Sequence, residues 1–198
     1  MVGHFCINCG TALVTRVIEG REVEACPRDN FVLWRDPKVS TAVVVESDGG
    51  IVLGRRAIEP GYGLWCLPGG FVNDDEDPVD AAARECLEEI GVPVHVTDLL
   101  GVFHIPKSGA PSMVVIAYRA GLVDGGRPVA GAEMLEVGVF PHDAFPPLAF
   151  PSHQAVLAEY FKSQARAAEG APRRDGEAAP RGMRPSREQA LLRPRRRR

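Results

Sequence analysis

The sequence predicts an α/β fold of the α+β kind, an α/β/α sandwich with a mixed sheet, preceded by a small β-hairpin module. The run VSTAVVVE at 39–46 is dense in β-branched residues, which is typical of a buried strand. Two helical patterns, each with an apolar stripe, follow later in the chain. We therefore divide the chain into a module over 1–36, a sandwich domain over 37–163 and a tail over 164–198.

The N-terminal module contains two cysteine knuckles. Cys6-x-x-Cys9 comes first, and Cys26 follows a predicted hairpin made of residues 12–17 and 22–25. Two knuckles separated by a hairpin are typical of a zinc ribbon. Because so short a segment cannot form a hydrophobic core, a bound metal would have to supply its folding energy.

The fourth ligand of this zinc site departs from the usual cysteine. Position 29 is an aspartate, so the predicted site is Cys6, Cys9, Cys26 and Asp29. A carboxylate is a harder ligand than a thiolate, and such a site would hold Zn²⁺ less tightly. His4 is a rival fourth ligand, and a ribbon that has lost its metal is the alternative. Disulfide pairing is disfavoured in a reducing cytoplasm.

Six strands and two helices are predicted in the sandwich domain. The strands are 39–46, 51–55, 64–67, 94–104, 112–120 and 134–140, and the helices are 78–90 and 151–162. The second helix is amphipathic, with Val156, Leu157, Tyr160 and Phe161 at helical spacing.

The first helix has a start signal at its N-terminus and a stop signal at its C-terminus. Asp77 is a predicted N-cap, Pro78 suits the first helical position, and Gly91 is a natural stop. The stripe predicted to face the core comprises Val79, Ala82, Ala83, Cys86 and Ile90. The helix is therefore expected from about residue 78 to residue 90.

Three glutamates cluster on another face of this helix. Glu85, Glu88 and Glu89 stand at i, i+3 and i+4, a spacing at which like charges repel. A solvated acidic face is the simplest interpretation of such a pattern. Here the cluster follows the Gly69-Gly70 turn and an acidic loop over 74–76, and hard oxygen ligands gathered in this way favour Mg²⁺ or Mn²⁺.

The segment from residue 70 to residue 92 resembles the Nudix box: glycine, five residues, Glu, seven residues, then R-E-apolar-x-E-E-x-G-apolar. The matching positions are Gly70, Glu76, Arg84, Glu85, Cys86, Glu88, Glu89, Gly91 and Val92. Residues 1–160 resemble the Nudix branch with an N-terminal zinc ribbon, whose members hydrolyse ADP-ribose and FAD. Asn73 departs from that branch, where a glutamate commonly follows G-G-F-V.

The resemblance implies roles for these residues. The implied Mg²⁺ or Mn²⁺ ligands are Glu85, Glu88 and Glu89, together with the carbonyl of Gly70. It also implies that Glu76 and Arg84 form a structural ion pair, whereas Glu133 completes the metal site or acts as a base. Glu136 is expected at the surface. The general base stays open among Glu88, Glu89 and Glu133.

The implied reaction is metal-dependent hydrolysis of a nucleoside diphosphate linked to a second moiety X, giving NMP and phosphorylated X. ADP-ribose or an FAD-like molecule is the first candidate. The alternatives are a (d)NTP, an NADH or RNA-cap substrate, and a Nudix module that senses a nucleotide without hydrolysis. Candidate substrate-binding residues are Arg55, Tyr62, Trp65 and Phe103, with Phe5 as a further aromatic residue able to stack an adenine.

Charge is distributed unevenly along the chain. The formal net charge is −3, but from Arg166 onward 11 arginines face four acidic residues, which leaves +7 in the tail and −10 in residues 1–165. An acidic body does not favour nucleic-acid binding, although Arg195 to Arg198 could contact RNA, phospholipid or an acidic partner. The tail composition favours disorder. We expect a cytoplasmic protein without a membrane segment, and the resemblance makes a homodimer a natural assembly.

Overall fold

The computed structural model describes residues 3–106 and 111–168. The predicted tail lies outside these residues from position 169 onward. The strands are β1 Val14–Ile18, β2 Arg21–Ala25, β3 Val32–Leu33, β4 Lys38–Ser47, β5 Gly50–Arg56, β6 Trp65–Cys66, β7 Val94–Ile105, β8 Met113–Leu122 and β9 Met134–Phe140. The helices are α1 Pro78–Ile90 and α2 Pro151–Ala168. Everything up to Ser163 forms one compact unit, which contains both the N-terminal module and the sandwich.

The N-terminal module is a three-stranded antiparallel sheet in the order β1-β2-β3. Glu19 and Gly20 connect β1 to β2, and both have positive φ, 51° and 76°. Positive φ at both central residues is what a two-residue type I′ hairpin requires. The third strand was not expected from the sequence, because two residues are too few to show a periodic pattern.

The second sheet is mixed and has β4 near its centre. Its order is β6-β5-β4-β8-β7, and β9 pairs with β5. Only β4 and β8 run parallel to each other. β4 pairs with β5 at only two residue pairs, and the rest of that edge of β4 is hydrogen-bonded to residues 68–72, which follow β6. The amides of Thr41 and Val43 donate to the carbonyls of Gly70 and Pro68, at 2.7 and 2.8 Å.

The side chains of successive β4 residues alternate between two hydrophobic cores, one on each face of the sheet. Ala42 and Val44 pack towards α2, whereas Val43 and Val45 pack towards α1. A strand covered on both faces reads as a continuous apolar run, which explains the VVV in this strand. The predicted α/β/α sandwich is confirmed.

Helix α1 begins and ends where the sequence predicts. The Asp77 side chain accepts from the amide of Val79 at 2.9 Å, and Gly91 ends the helix with φ 69°. Val79 was wrongly assigned to the buried stripe. It is 41% exposed because it lies in the first turn, and Ala81 is buried in addition to Ala82.

Helix α2 packs on the sheet through Val156, Leu157 and Tyr160. It extends to Ala168, six residues beyond the predicted end. The residues after 162 include no glycine or proline before position 170, so no local signal stops the helix at the predicted point. None of the described helices is long and apolar enough to cross a membrane.

Candidate active site

The Gly69-Gly70 turn lies directly against the glutamates of α1. The amide of Gly69 donates to Oε2 of Glu89 at 2.9 Å. A Cβ atom on Gly70 would lie 2.5 Å from the carboxylate of Glu85, and a Cβ atom on Gly69 would clash with the backbone of Thr41. Glycine at 69 is therefore required by the close approach of the β4 backbone, whereas glycine at 70 leaves room for the carboxylate of Glu85 in its present position.

Arg84 ties the loop to the helix. Its Nε and Nη2 donate to the two carboxylate oxygens of Glu76 at 3.0 and 2.7 Å, in a bidentate pair. Nη2 also donates to the carbonyl of Phe71, and Nη1 donates to Glu85 and Glu88 at 2.8 and 3.2 Å. Arg84 lowers the pKa of Glu76 to about 2, with help from the amide of Asn73. One guanidinium thus fixes the loop and two of the three glutamates.

The segment before β9 positions Glu133 near Glu85 and Glu89 of α1. The amides of Val129 and Gly131 donate to the carbonyls of Ile90 and Glu89, both at 2.9 Å, and so satisfy the C-terminal end of α1. A Cβ atom on Gly131 would clash with the carbonyl of Glu88. The Glu133 carbonyl accepts from the amide of Ala57 at 2.8 Å.

The charges of these carboxylates act on one another. Glu89 is only 5% exposed, and burial raises its pKa to about 8, with the nearby Glu85 and Glu133 acting in the same direction. The amide of Gly69 and the guanidinium of Arg56 oppose this rise. Burial also raises the pKa of Glu85, and Glu88 and Glu133 add to that rise. The cluster therefore carries excess negative potential that a cation would relieve.

The predicted substrate-binding residues separate into two groups. Trp65 packs on Phe140 with ring centroids 4.6 Å apart, and Phe103 packs against the core on the α2 side, so both have packing roles. Arg55 donates to the carbonyl of Gly63 at 2.9 Å and pairs with Glu136 at 3.7 Å. Tyr62 lies in the same turn, directly before Gly63, and is 59% exposed.

Arg56 was not singled out from the sequence, but it acts on the carboxylates, because its guanidinium lowers the pKa of Glu89. The pairing of β5 with β9 shifts register between Arg55 and Arg56. Such a bulge re-aims a side chain, and nothing in the sequence signals it. Arg56 donates to the carbonyl of Pro60 at 2.8 Å, and its guanidinium lies 5.0 Å from the Phe150 ring centroid.

His153 is a second residue that the sequence did not identify. Its Nδ1 accepts from the amide of Leu67 at 3.1 Å, three residues before Gly70. Burial, assisted by Arg56, lowers the pKa of His153 to about 4, so the ring is neutral near pH 7. A neutral ring keeps the acceptor that the buried amide needs. The first turn of α2 thereby supports the strand that leads into the glycine turn.

The N-terminal module gathers a second set of potential ligands. One ligand atom from each of Cys6, Cys9, Cys26 and Asp29 lies within 4.8 Å of the others. The amides of Asn8 and Arg28 point at the sulfurs of Cys6 and Cys26, each at 3.4 Å.

His4 does not join this cluster. Its Nδ1 contacts Glu24 at 2.7 Å instead, so the structure argues against it as the rival fourth ligand. All five cysteines are free thiols. The set of three sulfurs and one carboxylate matches ligand types that Zn²⁺ accepts.

Comparison with known proteins places the chain in a family. The model described as the NUDIX domain matches residues 36–161. An ADP-ribose pyrophosphatase of Methanocaldococcus jannaschii is 30% identical over 159 residues, 80% of this chain and 90% of that protein. An NAD-capped RNA hydrolase NudC of Pseudomonas aeruginosa is 28% identical over 77% of this chain, which spans 52% of that protein.

Solved structures agree with this placement. The crystal structure of a NUDIX hydrolase from Nitrosomonas europaea has a TM-score of 0.73 at 32% identity, and the match covers 82% of this chain and 92% of that one. The residues matched by the NUDIX domain model, 36–161, include the carboxylate helix and the strands of the second sheet. The chain therefore belongs to the Nudix hydrolase family.

Proposed function

We propose that this Nudix hydrolase cleaves the diphosphate of a nucleoside diphosphate linked to a moiety X, with ADP-ribose or an FAD-like molecule as the substrate. The observation that carries the proposal is the clustering of Glu85, Glu88 and Glu89 against the Gly69-Gly70 turn. The products would be NMP and phosphorylated X. Relatives named for ADP-ribose and for NAD-capped RNA support a substrate with this linkage.

The donor set fits Mg²⁺ or Mn²⁺. Glu85, Glu88 and Glu89 supply hard oxygen atoms, and their mutual repulsion would fall when a cation binds. The carbonyl of Gly70, our further candidate ligand, accepts from the amide of Thr41 at 2.7 Å and from the Thr41 hydroxyl at 3.4 Å, and the longer of these two bonds would have to yield to a metal ion. When bound, the metal would neutralise charge that develops on the phosphate oxygens and favour ionisation of water.

The chain's own residues would complete the reaction. A carboxylate removes a proton from water as the water oxygen attacks phosphorus, and the bond from phosphorus to the bridging oxygen breaks. Glu88, Glu89 and Glu133 all remain candidates for that base. Arg84 holds Glu85 and Glu88 in fixed positions, which limits the reorganisation needed during the reaction.

A substrate panel tests the proposal. Release of the nucleoside monophosphate would be measured with Mg²⁺, as AMP from ADP-ribose, FAD, NADH and diadenosine polyphosphates and as dNMP from dNTPs. We expect the highest kcat/KM on ADP-ribose or FAD. Preference for NADH would support the NudC-like alternative instead, and binding of ADP-ribose without turnover would support the sensing module.

We also propose Zn²⁺ at Cys6, Cys9, Cys26 and Asp29, with a structural role. Asp29 would be a weaker ligand than cysteine, although its Oδ1 already accepts from the amide of Phe31 at 2.8 Å and is thereby oriented. Metal analysis of freshly purified protein should give one zinc per chain. Finding substoichiometric zinc in both wild type and Asp29→Cys would reject the site.

Three further assignments remain proposals of the same kind. The domain boundaries at residues 36 and 163 would make the ribbon and the arginine-rich tail separable from the hydrolase domain. A homodimer and a cytoplasmic location complete the proposal. Light scattering on the full chain and on a chain ending at residue 163 would measure the oligomeric state and the influence of the tail on it.

A further inference from the structure

A groove of about 380 Å³ lies where the N-terminal module meets the start of β4. Its lining comprises His4, Leu33, Trp34, Arg35, Asp36 and Pro111. The site described above uses none of these residues.

Trp34 is the large aromatic surface of this groove. It remains 46% exposed although its backbone amide is fixed to the carbonyl of Val32 at 3.2 Å. A half-exposed indole offers a flat apolar face for another ring. Trp65, the other tryptophan of the chain, packs on Phe140 instead.

The charges in the groove favour a neutral ring over a free phosphate. Arg35 lies 3.8 Å from Glu24, which offsets its positive charge, and Nδ1 of His4 contacts the same carboxylate at 2.7 Å. Asp36 adds a further carboxylate to the wall. The groove thus combines a stacking surface with donors and acceptors, which suits a heterocycle that carries polar edges.

Five residues after Trp34, β4 pairs with the segment that follows the glycine turn, where the carbonyl of Val39 accepts from the amide of Val72 at 3.1 Å. Trp34 is four residues before Lys38, a span of at most about 14 Å in an extended chain. The Lys38 ammonium lies 5.8 Å from the ring centroid of Phe71, the residue after Gly70. Among the described residues no ion pair is found for Lys38. Its cation therefore lies beside the residue that follows Gly70, and a diphosphate linker that runs past the glycine turn would need such a charge.

We infer that the Trp34 groove binds the aromatic ring of moiety X when the substrate is a dinucleotide diphosphate such as FAD or NAD⁺. The ring stacks on Trp34, polar groups of the groove contact its edge, and Lys38 lies toward the linker. This inference rests on the proposed function and extends it by naming a subsite that distinguishes an aromatic X from ribose.

Kinetics on paired substrates test the subsite. Trp34→Ala should raise KM for FAD about 10-fold more than KM for ADP-ribose, whereas Trp34→Phe should restore most of the FAD preference. Arg21→Ala, an exposed arginine of β2 outside the groove, is the matched control and should leave the ratio unchanged. Equal effects of Trp34→Ala on the two substrates would overturn the inference.

A binding measurement separates failure of the subsite from failure of the proposed function. The Glu88→Gln, Glu89→Gln double variant removes turnover, and NAD⁺ is titrated while tryptophan emission is recorded. Quenching by NAD⁺ should disappear when Trp34→Phe is added, because only Trp65 then emits. Equal quenching with and without Trp34→Phe would overturn the subsite, whether or not the wild type hydrolyses any substrate in the panel.

Discussion

The two ligand-bearing regions of this chain are held in place in different ways. The glutamates of α1 lie on a helix that packs against a sheet with a full core on each face. The cysteine module has a three-stranded sheet with exposed apolar side chains, among them Ile7, which is 82% exposed. The difference teaches that the candidate hydrolase site is ordered by packing and hydrogen bonds, whereas we expect the proposed ribbon to depend on a metal held by its ligand cluster.

The largest expected effect is on catalysis, from the most buried carboxylate. Glu89→Gln keeps an oxygen that can accept from the amide of Gly69 but removes the charge. We expect kcat to fall about 10²- to 10⁴-fold. Thermal unfolding in EDTA should not occur at a lower temperature, because a neutral amide avoids the desolvation that raises the pKa of Glu89. Activity within tenfold of wild type would show that Glu89 is not part of the site.

Displacing a carboxylate without removing it should cost less. Gly70→Ala places a Cβ atom 2.5 Å from the Glu85 carboxylate, which must move. A displacement of about 1 Å in a catalytic group can cost about 10²-fold, and we expect a loss of that order in kcat/KM.

Gly121→Ala is the matched control for this substitution, since a Cβ atom there meets nothing within 4 Å. Its kcat/KM should equal that of wild type. Equal activity of both variants would mean that the Gly70 approach does not hold the site.

Removing a ligand of the ribbon should affect zinc rather than the sandwich. Cys26→Ser should lower bound zinc by at least half and expose the ribbon to limited proteolysis, while ADP-ribose hydrolysis changes by less than tenfold. Cys66→Ala, a buried cysteine in β6, is the control and should keep its zinc. Loss of zinc with simultaneous unfolding of the whole chain would erase the contrast between the two regions.

The smallest effect is a pH dependence within the sandwich. The pKa of His153 is about 4 in the folded chain and 6.5 in its ordinary range. Between those values the unfolded chain binds more protons, so stability should fall as pH drops from about 6.5 towards 4, by up to about 3 kcal/mol. His153→Gln retains an acceptor for Leu67 and does not titrate, so urea unfolding of this variant should lack that part of the slope.

The sequence was sufficient for features with a local cause. Helix α1 could be predicted to the residue because Asp77, Pro78 and Gly91 mark its ends chemically. The sandwich followed from the apolar run of β4 and two amphipathic helices. The Glu76 to Arg84 ion pair was implied by the Nudix resemblance, and the structure contains it at 2.7 Å.

Features that depend on tertiary contacts could not be predicted. Arg56 lowers the pKa of Glu89 from a point where the pairing of β5 with β9 shifts register, and His153 supports Leu67 across 86 positions of sequence. The preference of His4 for Glu24 over the cysteine cluster is of the same kind. Each involves a partner distant in sequence, so no periodicity or spacing announces it.

Hydrolysis of ADP-ribose by wild type and by the Glu88→Gln, Glu89→Gln double variant, with Mg²⁺ present, is the most direct test of the central claim. We predict that the wild type releases AMP and ribose 5-phosphate and that the rate of the folded double variant is lower by about 10³-fold or more. A double variant that still released AMP at a rate near that of wild type would contradict the assignment of the α1 glutamates as the active site.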